Sequence, residues 1–508
     1  MKVNQLKVGA ILSYLSLFLN NIIGILYTPI MLRLLGQSEY GIYSLSASVI
    51  GYLTLLDLGF SNAIVRFTTE YHNKGNKEKE YRLYGMFLII YLILGIIAGI
   101  VGFILYLNVD VLFATSLSPK EIYKTKSVMF ILLINIVLTF PLSIFSSIIV
   151  AHEKFVFQKS LIIIKNILNP CIMLPLLLNG YASIAMVTVS SLLNVLILII
   201  NLLYCFKKLK IKLIFGGIKF KLLKEISTYS FFILLTVIVD KVYLSTGQFI
   251  LGISTGTVAV AVYSIALQLC NYYSSLSFAI SGVLFPRITK MVSNNVSEKE
   301  LTDTFIRMGR LQFLILSIVL SGFVVFGKEF IILWAGNGYE IAYYVACIIM
   351  IPFTIDLIQN TGISILQAKD KHKFRSVLLI MIAFMNIVLS ILFVEYWGII
   401  GVAFATGISR LIENIIMNIY YSKLILINIR KFWMSLFELL IPFILATAMG
   451  AFINSLIDQT SVGFFVLKVL IFSLVYVGLI WNFGMNYYEK NIIISLINKI
   501  KSLYKRSL

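Results

Sequence analysis

Apolar stretches of about 20 residues, separated by short polar connections, recur along the whole chain. A stretch of that length crosses a bilayer as an α-helix, because the helix rises about 1.5 Å per residue. The pattern predicts about 14 transmembrane helices, arranged as two sets of six followed by two more. It therefore indicates an all-α integral membrane protein.

Composition supports a membrane protein without a soluble domain. Of the 508 residues, 60% are hydrophobic and only 13% are charged, about half the charged fraction of a soluble protein. In a soluble protein the net charge of +20 would suggest nucleic acid. Beside apolar helices, however, basic loops contact anionic lipid headgroups and fix topology. We therefore expect membrane lipids and no nucleic acid among the partners.

The sequence gives no support for ATP hydrolysis through a phosphate-binding loop or for a soluble catalytic domain. It contains no G-x-x-x-x-G-K-[ST] phosphate-binding loop, and its polar connections are too short to form a soluble catalytic domain. We expect a transporter that is not an enzyme and that uses no cofactor.

Two long stretches of the chain resemble each other, with matched residues about 220 positions apart, as an internal duplication would produce. Each copy spans six predicted helices. Since six is even, both copies enter the membrane in the same orientation, which predicts two parallel-related lobes. The matched pairs include Gly36 with Gly252, Tyr43 with Tyr263, Arg66 with Arg287, Pro141 with Pro352, Asn169 with Asn386, and Gly180 with Gly398.

The repeat and the distribution of basic residues divide the chain into five segments. They are a six-helix lobe (1–206), a basic cytoplasmic linker (207–225), a second six-helix lobe (226–424), two additional transmembrane helices (425–486) and an amphipathic basic cytoplasmic tail (487–508). The linker is either a hinge or a plain anchor, and the tail either lies on the inner leaflet or frays. Most of the 42 Lys and Arg residues fall on the side of both termini, which predicts cytoplasmic termini.

Ionisable and polar side chains inside the predicted helices are the candidate functional residues. A charge near the bilayer centre costs about 3 kcal/mol on insertion scales, so it needs water or a partner. Polar stripes at helical spacing face a water-filled cavity or pack against another helix. The candidates are the cations Lys165, Lys241 and Arg410, the carboxylates Asp240, Asp356 and Glu413, and the cavity-lining residues Asn20, Gln268, Asn271 and Asn360.

Several of these charges have a purely structural interpretation. Arg410 and Glu413 are three residues apart on one helix face and can form an internal ion pair. Lys165 faces a cavity or pairs with another helix. Asp240 and Lys241 point about 100° apart, so they cannot simply pair with each other.

Further polar residues lie at helix ends and in the loops. Arg66 and Arg287 are repeat mates, and they either flank an inward-facing mouth, where they hold phosphate oxygens, or anchor the helices. Asp57 either caps a kink or has a binding role. The histidines His72, His152 and His372 lie far apart in the sequence, so no metal site is expected.

The stretch near the N-terminus resembles a known family. LLGQSEYGIYS (34–44) leads into LLDLGFSNAIVRF (55–67), which resembles the first two helices of bacterial polysaccharide flippases. These proteins belong to the multidrug/oligosaccharidyl-lipid/polysaccharide exporter superfamily. The resemblance extends along the chain in helix number, 6+6+2 layout and loop charge. It implies two lobes in a V around a central cavity, in a bacterial cell membrane.

The resemblance also implies a substrate and roles for the candidate residues. The expected activity is transfer of an undecaprenyl-pyrophosphate-linked oligosaccharide to the outer leaflet by alternating access, coupled to an ion gradient. Polysaccharide polymerase machinery is an implied partner. The alternatives are a lipid II-type flippase for cell-wall synthesis and an H⁺- or Na⁺-coupled multidrug antiporter. The residues expected to bind the substrate are Lys241, Lys165, Arg410, Arg66 and Arg287. The residues expected to couple transport to an ion are Asp240, Asp356 or Glu413.

Overall fold

The computed structural model describes residues 5–216, 220–294, 296–369, 371, 373–457, 461–495 and 498. Within these residues the chain is helical and contains no β-strand. A 3₁₀ helix spans Tyr52–Asp57, and π-helices span Val242–Thr246 and Ile480–Gly484. The α-helices are α1 (Gln5–Gly51), α2 (Phe60–Asn73), α3 (Lys77–Leu107), α4 (Val109–Leu112), α5 (Pro119–Ala151), α6 (Phe155–Leu178), α7 (Ser183–Lys207), α8 (Phe220–Lys241), α9 (Gly247–Ser254), α10 (Thr257–Ser293), α11 (Glu298–Ala335), α12 (Ile341–Ile358), α13 (Asn360–Ala368), α14 (Lys373–Leu424), α15 (Ile429–Leu456) and α16 (Val462–Leu479).

Ten helical stretches among the described residues are long and apolar enough to cross a membrane. Two of them, Val8–Asn73 and Lys373–Leu424, have 66 and 52 residues, far more than one crossing requires. Each is broken by a glycine with a positive φ angle, 75° at Gly36 and 55° at Gly398, a conformation that glycine adopts without a steric penalty. The predicted all-α multi-pass fold is confirmed, and the count of fourteen crossings stays a prediction.

Large apolar side chains cover much of the outer surface of the helices. Phe18 is 62% exposed, Ile441 66% and Leu474 75%. Water would make such continuous apolar exposure unfavourable, whereas lipid tails are as apolar as these side chains. The outward faces are therefore suited to a bilayer.

Short polar segments in the sequence begin several of the helices. Ser118 accepts a hydrogen bond from the backbone N–H of Glu121, and the Glu121 carboxylate accepts one from the backbone of Ser118. This reciprocal cap satisfies N–H groups that the first turn of a helix leaves without partners. Asn76, Ser297, Asn428 and Ser461 cap α3, α11, α15 and α16 in a similar way with one side-chain bond each.

Two of the duplicated pairs share backbone features, whereas Gly36 has a φ of 75° and its mate Gly252 lies inside α9 without a positive φ. Gly180 and Gly398 both have positive φ angles, 82° and 55°, and Pro141 and Pro352 both lie inside a helix. An internal duplication predicts such agreement, because matched residues inherit the same local structure.

The chain separates into two compact units. The first unit comprises Met1–Leu267 and Ser376–Thr406, and the second comprises Gln268–Arg375 and Gly407–Leu508. In the first unit α5 packs between α3 and α7, and α1 packs on α6. In the second unit α11 packs on α12 and α15, and α16 also contacts α15.

The predicted five-segment division and the V-shaped arrangement stay predictions. Of the predicted linker, residues 217–219 lie outside the described residues, as do residues 496–497 and 499–508 of the predicted tail. Residues 487–495 of that tail are helical.

Candidate functional site

A polar cluster lies among the membrane-spanning helices of the first unit. The Lys165 ammonium of α6 donates to Oδ1 of Asn194 in α7 at 2.9 Å. The Asn194 amide in turn donates to Oδ1 of Asn135 at 3.1 Å and to Oγ1 of Thr139 at 3.0 Å, both in α5. Side chains of α5 and α6 thus fix the orientation of Asn194, and its Oδ1 points at the lysine.

Lys165 keeps an unbalanced positive charge in this cluster. Its side chain is half-buried, and no carboxylate pairs with it among the residues that the structure describes. An ammonium has three donors, and its one partner here is a neutral amide oxygen. From the sequence, Lys165 was expected either to face a cavity or to pair with another helix. The structure gives it Asn194 of α7 as a partner. A role of Lys165 in substrate binding stays a prediction.

Asp240 and Lys241 lie where α8 continues into a π-helix. Asp240 is exposed and Lys241 is half-buried, as expected of adjacent side chains that point in different directions. The Lys241 ammonium lies over Gly51, since a Cβ added to that glycine would be 3.4 Å from Nζ. In the same region the Tyr52 hydroxyl is 2.6 Å from Oγ1 of Thr246. π-helical turns are often found at functional sites.

Asp57 lies at the break between the 3₁₀ helix and α2. Its Oδ1 accepts hydrogen bonds from Tyr91 at 2.6 Å and from Ser61 at 3.0 Å. The next two residues, Leu58 and Gly59, have φ angles of 52° and 76°, so the chain turns sharply there. A carboxylate just before the first turn of α2 also interacts favourably with the dipole of that helix. This agrees with the interpretation of Asp57 as a kink cap.

The remaining candidates of the first unit lie at its surface. Arg66 is exposed, with its guanidinium 5.6 Å from the ring centre of Phe67, and Asn20 is exposed on α1. The repeat mate Arg287 belongs to α10, but its side chain lies outside the described part of the chain. The proposed mouth formed by the two arginines stays a prediction.

In the second unit, Arg410 of α14 forms an ion pair with Asp356 of α12. The Nη1 to Oδ2 distance is 2.8 Å, and the two side chains are 15% and 19% exposed. The Arg410 guanidinium also lies 4.1 Å from the ring centre of Phe353, a cation–π contact. The sequence offered Glu413 as the structural partner of Arg410, and that pair stays a prediction. The carboxylate partner seen here comes from another helix, 54 residues away. Glu413 itself is buried.

A ladder of amides continues from Arg410 along α14, and sequence reasoning missed it. The Asn414 amide donates to the carbonyl of Pro352 at 3.3 Å. Oδ1 of Asn418 accepts from Gln359 at 2.9 Å and from the Trp433 indole at 3.2 Å. Positions 410, 414 and 418 are spaced by four residues and share one helix face, which was the signal in the sequence.

The other polar candidates of the second unit are less enclosed. Gln268 is half-buried, and its amide donates to the Tyr272 hydroxyl at 2.5 Å. Asn271 is exposed, and Asn360 is half-buried at the start of α13, next to the break after α12. Their role as cavity-lining residues stays a prediction.

Two buried cations in the second unit also escaped sequence reasoning. Arg310 is 2% exposed and contacts Glu489, Glu438 and backbone carbonyls. Lys468 is also 2% exposed and donates to Glu329 at 2.9 Å and to Asn454 at 3.2 Å. Because both cations are matched by carboxylates, they serve packing between helices.

His72 and His152 meet in the fold, although they lie far apart in the sequence. Their ring centres are 4.4 Å apart, and both contact Glu80. The physical reason is that the ends of α2, α3 and α5 pack together in the first unit, which sequence separation does not reveal. His372 lies outside the described residues.

Comparison with solved structures identifies the fold of this chain. The solved structure of the lipid II flippase MurJ, inward closed, has a TM-score of 0.71 at 18% identity and covers 93% of this chain and 97% of its own. An inward-facing multidrug resistance MATE family transporter of the MOP superfamily has a TM-score of 0.60 at 14% identity, with coverages of 82% and 96%. At these identities the similarity shows a shared fold.

The sequence comparisons give the family. Residues 6–292 match the family described as polysaccharide biosynthesis protein, which is more than half of the chain, so this protein belongs to that family. A Shigella flexneri protein whose name assigns it O-antigen transport is 23% identical over 403 residues, which is 77% of this chain and 92% of that protein. The predicted resemblance to the polysaccharide flippases is confirmed.

Proposed function

We propose that the protein is a flippase for an undecaprenyl-pyrophosphate-linked oligosaccharide, the repeat unit of an O-antigen, capsule or exopolysaccharide. It moves this lipid from the inner to the outer leaflet of a bacterial cell membrane by alternating access. The observation that carries the proposal is the unbalanced charge of Lys165 among membrane helices, in a chain of the polysaccharide biosynthesis family. Both termini face the cytoplasm, and polysaccharide polymerase machinery uses the flipped product.

The physical task explains why cations are needed inside the membrane. The prenyl tail can stay in lipid, but the glycan and the pyrophosphate cannot cross hydrocarbon without compensation for their lost hydration. A pyrophosphate has several acceptor oxygens, and ammonium or guanidinium groups form strong charge-assisted hydrogen bonds with them. We assign first contact to Lys165 and Lys241, with Arg66 and Arg287 at the inward mouth.

The Arg410–Asp356 pair is suited to a different role, which is ion coupling. While Asp356 is ionised it holds Arg410 at 2.8 Å. Uptake of H⁺ or Na⁺ by the carboxylate would weaken that pair and release Arg410 towards the anionic substrate, so ion and substrate binding become linked. Asp240 and Glu413 are the other candidates for this step.

The coupling role predicts a specific transport defect. Asp356→Asn is nearly isosteric but cannot take up an ion, so export should become insensitive to an imposed H⁺ or Na⁺ gradient. We would measure export in membrane vesicles with and without each gradient, with protein abundance measured in parallel and Glu413→Gln as the comparison variant. Gradient-dependent export by Asp356→Asn at normal abundance would contradict the assignment.

The substrate is tested by chemical analysis of what accumulates when the protein is depleted. We expect an undecaprenyl-pyrophosphate-linked oligosaccharide to build up, detected by mass spectrometry of the lipid fraction, and to disappear when the wild-type gene is restored. The similarity of the fold to that of MurJ makes a lipid II-type flippase the second candidate, and accumulation of lipid II would favour it. Depletion with unchanged levels of both lipids, and with raised sensitivity to drugs, would indicate the multidrug alternative.

A further inference from the structure

Three side chains capable of binding a metal meet at one end of the first unit. His72 lies in the last turn of α2, Glu80 in the first turn of α3, and His152 directly after α5. Glu80 places one oxygen 3.4 Å from Nδ1 of His72 and the other 3.0 Å from Nε2 of His152. One ligand atom from each residue lies within 4.8 Å of the other two.

These separations are close to those of a zinc site. With zinc–ligand bonds of about 2.0–2.1 Å in a tetrahedron, neighbouring ligand atoms lie about 3.3–3.4 Å apart. The two histidine nitrogens lie 3.4 and 3.0 Å from different oxygens of Glu80, and all three ligand atoms lie within 4.8 Å of one another, so a small rotation of His72 has to close the site around the ion. His72 is 49% exposed and can rotate, while Glu80 and His152 are 3% and 12% exposed and are held in place by their surroundings.

Tyr84 holds the carboxylate in position. Its hydroxyl donates to Oε1 of Glu80 at 2.5 Å and lies 3.1 Å from Nε2 of His152. Groups that hydrogen-bond to metal ligands orient them and tune their affinity. The exposed side of His72 gives an ion a path from solution, and three protein ligands leave a fourth position for water.

The donor set points to a particular class of ion. Two imidazoles and one carboxylate suit Zn²⁺ and related divalent transition metals, whereas Mg²⁺ and Ca²⁺ prefer oxygen ligands alone. We propose that His72, Glu80 and His152 bind one Zn²⁺ ion, which fastens the end of α2 to the ends of α3 and α5. The three ligands are none of the residues assigned above to substrate binding or ion coupling. The competing interpretation is a metal-free cluster, in which Glu80 is satisfied by hydrogen bonds alone.

The test uses the purified full-length protein in detergent after treatment with a chelator. We expect isothermal titration with ZnCl₂ to give one site per chain, and one zinc ion to remain per chain after dialysis. Because a ligand that binds only the folded state stabilises it, Zn²⁺ should also raise the melting temperature, and MgCl₂ should not. Co²⁺ bound in place of Zn²⁺ should show the strong visible d–d bands of a tetrahedral ion, whereas hydrated octahedral ions adsorbed at the surface absorb only weakly.

Variants separate a built site from surface adsorption. His72→Ala removes the exposed ligand without opening the core and should weaken zinc binding at least tenfold, while His72→Cys should keep it, because a thiolate also binds zinc. Glu78→Gln changes an exposed carboxylate that pairs with Arg82 and should leave binding unchanged. Absence of zinc binding by the wild type, or equal affinity of wild type and His72→Ala, would overturn the proposal in favour of the metal-free cluster.

Discussion

Replacing Arg310 with methionine should destabilise the protein severely, because the guanidinium holds a buried network together. It donates from Nε to Glu489 at 2.6 Å and from Nη2 to the same carboxylate at 3.1 Å. It also bonds Glu438 at 2.9 Å and the carbonyl of Gly484 at 3.0 Å. The change leaves Glu489, itself 2% exposed, as a buried charge without its counter-ion, and such a loss costs about 3–5 kcal/mol.

We expect Arg310→Met to be nearly absent from the folded membrane fraction, and any purified remainder to melt far below wild type. Arg310→Lys should recover only part of the loss, because an ammonium cannot make the two parallel bonds to Glu489. Adding Glu489→Gln to Arg310→Met should recover stability, since the second change removes the unpaired charge. Thermal unfolding in detergent and abundance in isolated membranes measure both effects.

The matched control is the exposed pair of Lys431 and Asp303 in the same unit. Its atoms are 2.8 Å apart, within the range of the Arg310 contacts, but the side chains are 54% and 36% exposed. Exposed pairs contribute less than about 1 kcal/mol. Lys431→Met should therefore melt close to wild type. If Lys431→Met and Arg310→Met lowered the melting temperature equally, burial of the network around Arg310 would not be the source of its stabilising effect.

The apolar pattern was sufficient to predict the fold class because each membrane helix is specified by its own sequence. A run of about 20 apolar residues has to be helical in lipid to satisfy its backbone hydrogen bonds. Helix breaks were also visible as glycines: Gly36 and Gly398 have the positive φ angles that end one segment and begin the next. The same reasoning does not predict which helices become neighbours.

Partners of the buried charges were therefore the part that the sequence did not predict. Asp356 stood out as an unusual charge, but its ion pair with Arg410 depends on the packing of α12 against α14. Arg310 escaped notice for a different reason. It follows a stretch rich in charges at the start of α11, whose composition is typical of a solvated extension, whereas α15 and the segment after α16 bury it.

Export should fall when the positive charge of Lys165 is removed, and also when a new carboxylate next to Lys165 forms an ion pair with it. Lys165→Met removes the charge and should lower export by about 10–100-fold, since a hydrogen bond to a charged group contributes about 1.5–3 kcal/mol and 1.4 kcal/mol is a factor of ten. Lys165→Arg should retain part of the activity, because it keeps the charge and its donors.

The sharper variant is Asn194→Asp, which replaces the Nδ2 amide group of Asn194 with an oxygen and makes the side chain next to the lysine a carboxylate. The Oδ1 atom lies 2.9 Å from the ammonium, so a carboxylate there would form an ion pair with Lys165. This ion pair would compete with the pyrophosphate for the lysine. The side chain keeps its size but loses its two donations to α5; the Asn135 amide can turn over and donate to the new carboxylate, so the protein should still accumulate, while export should fall as far as in Lys165→Met. In the double variant Lys165→Met/Asn194→Asp, export should be no higher, since no cation remains at this position.

Export of the labelled lipid-linked oligosaccharide and protein abundance would be measured together for all four variants. If Lys165 only holds α6 against α7, then Asn194→Asp should strengthen that contact and export should continue normally. A substrate-binding role predicts the opposite, because a stronger internal partner competes with the substrate for the same ammonium. Normal export by Asn194→Asp at normal abundance would therefore remove Lys165 from the substrate site, and a selective loss of export would support its contact with the anionic part of the lipid.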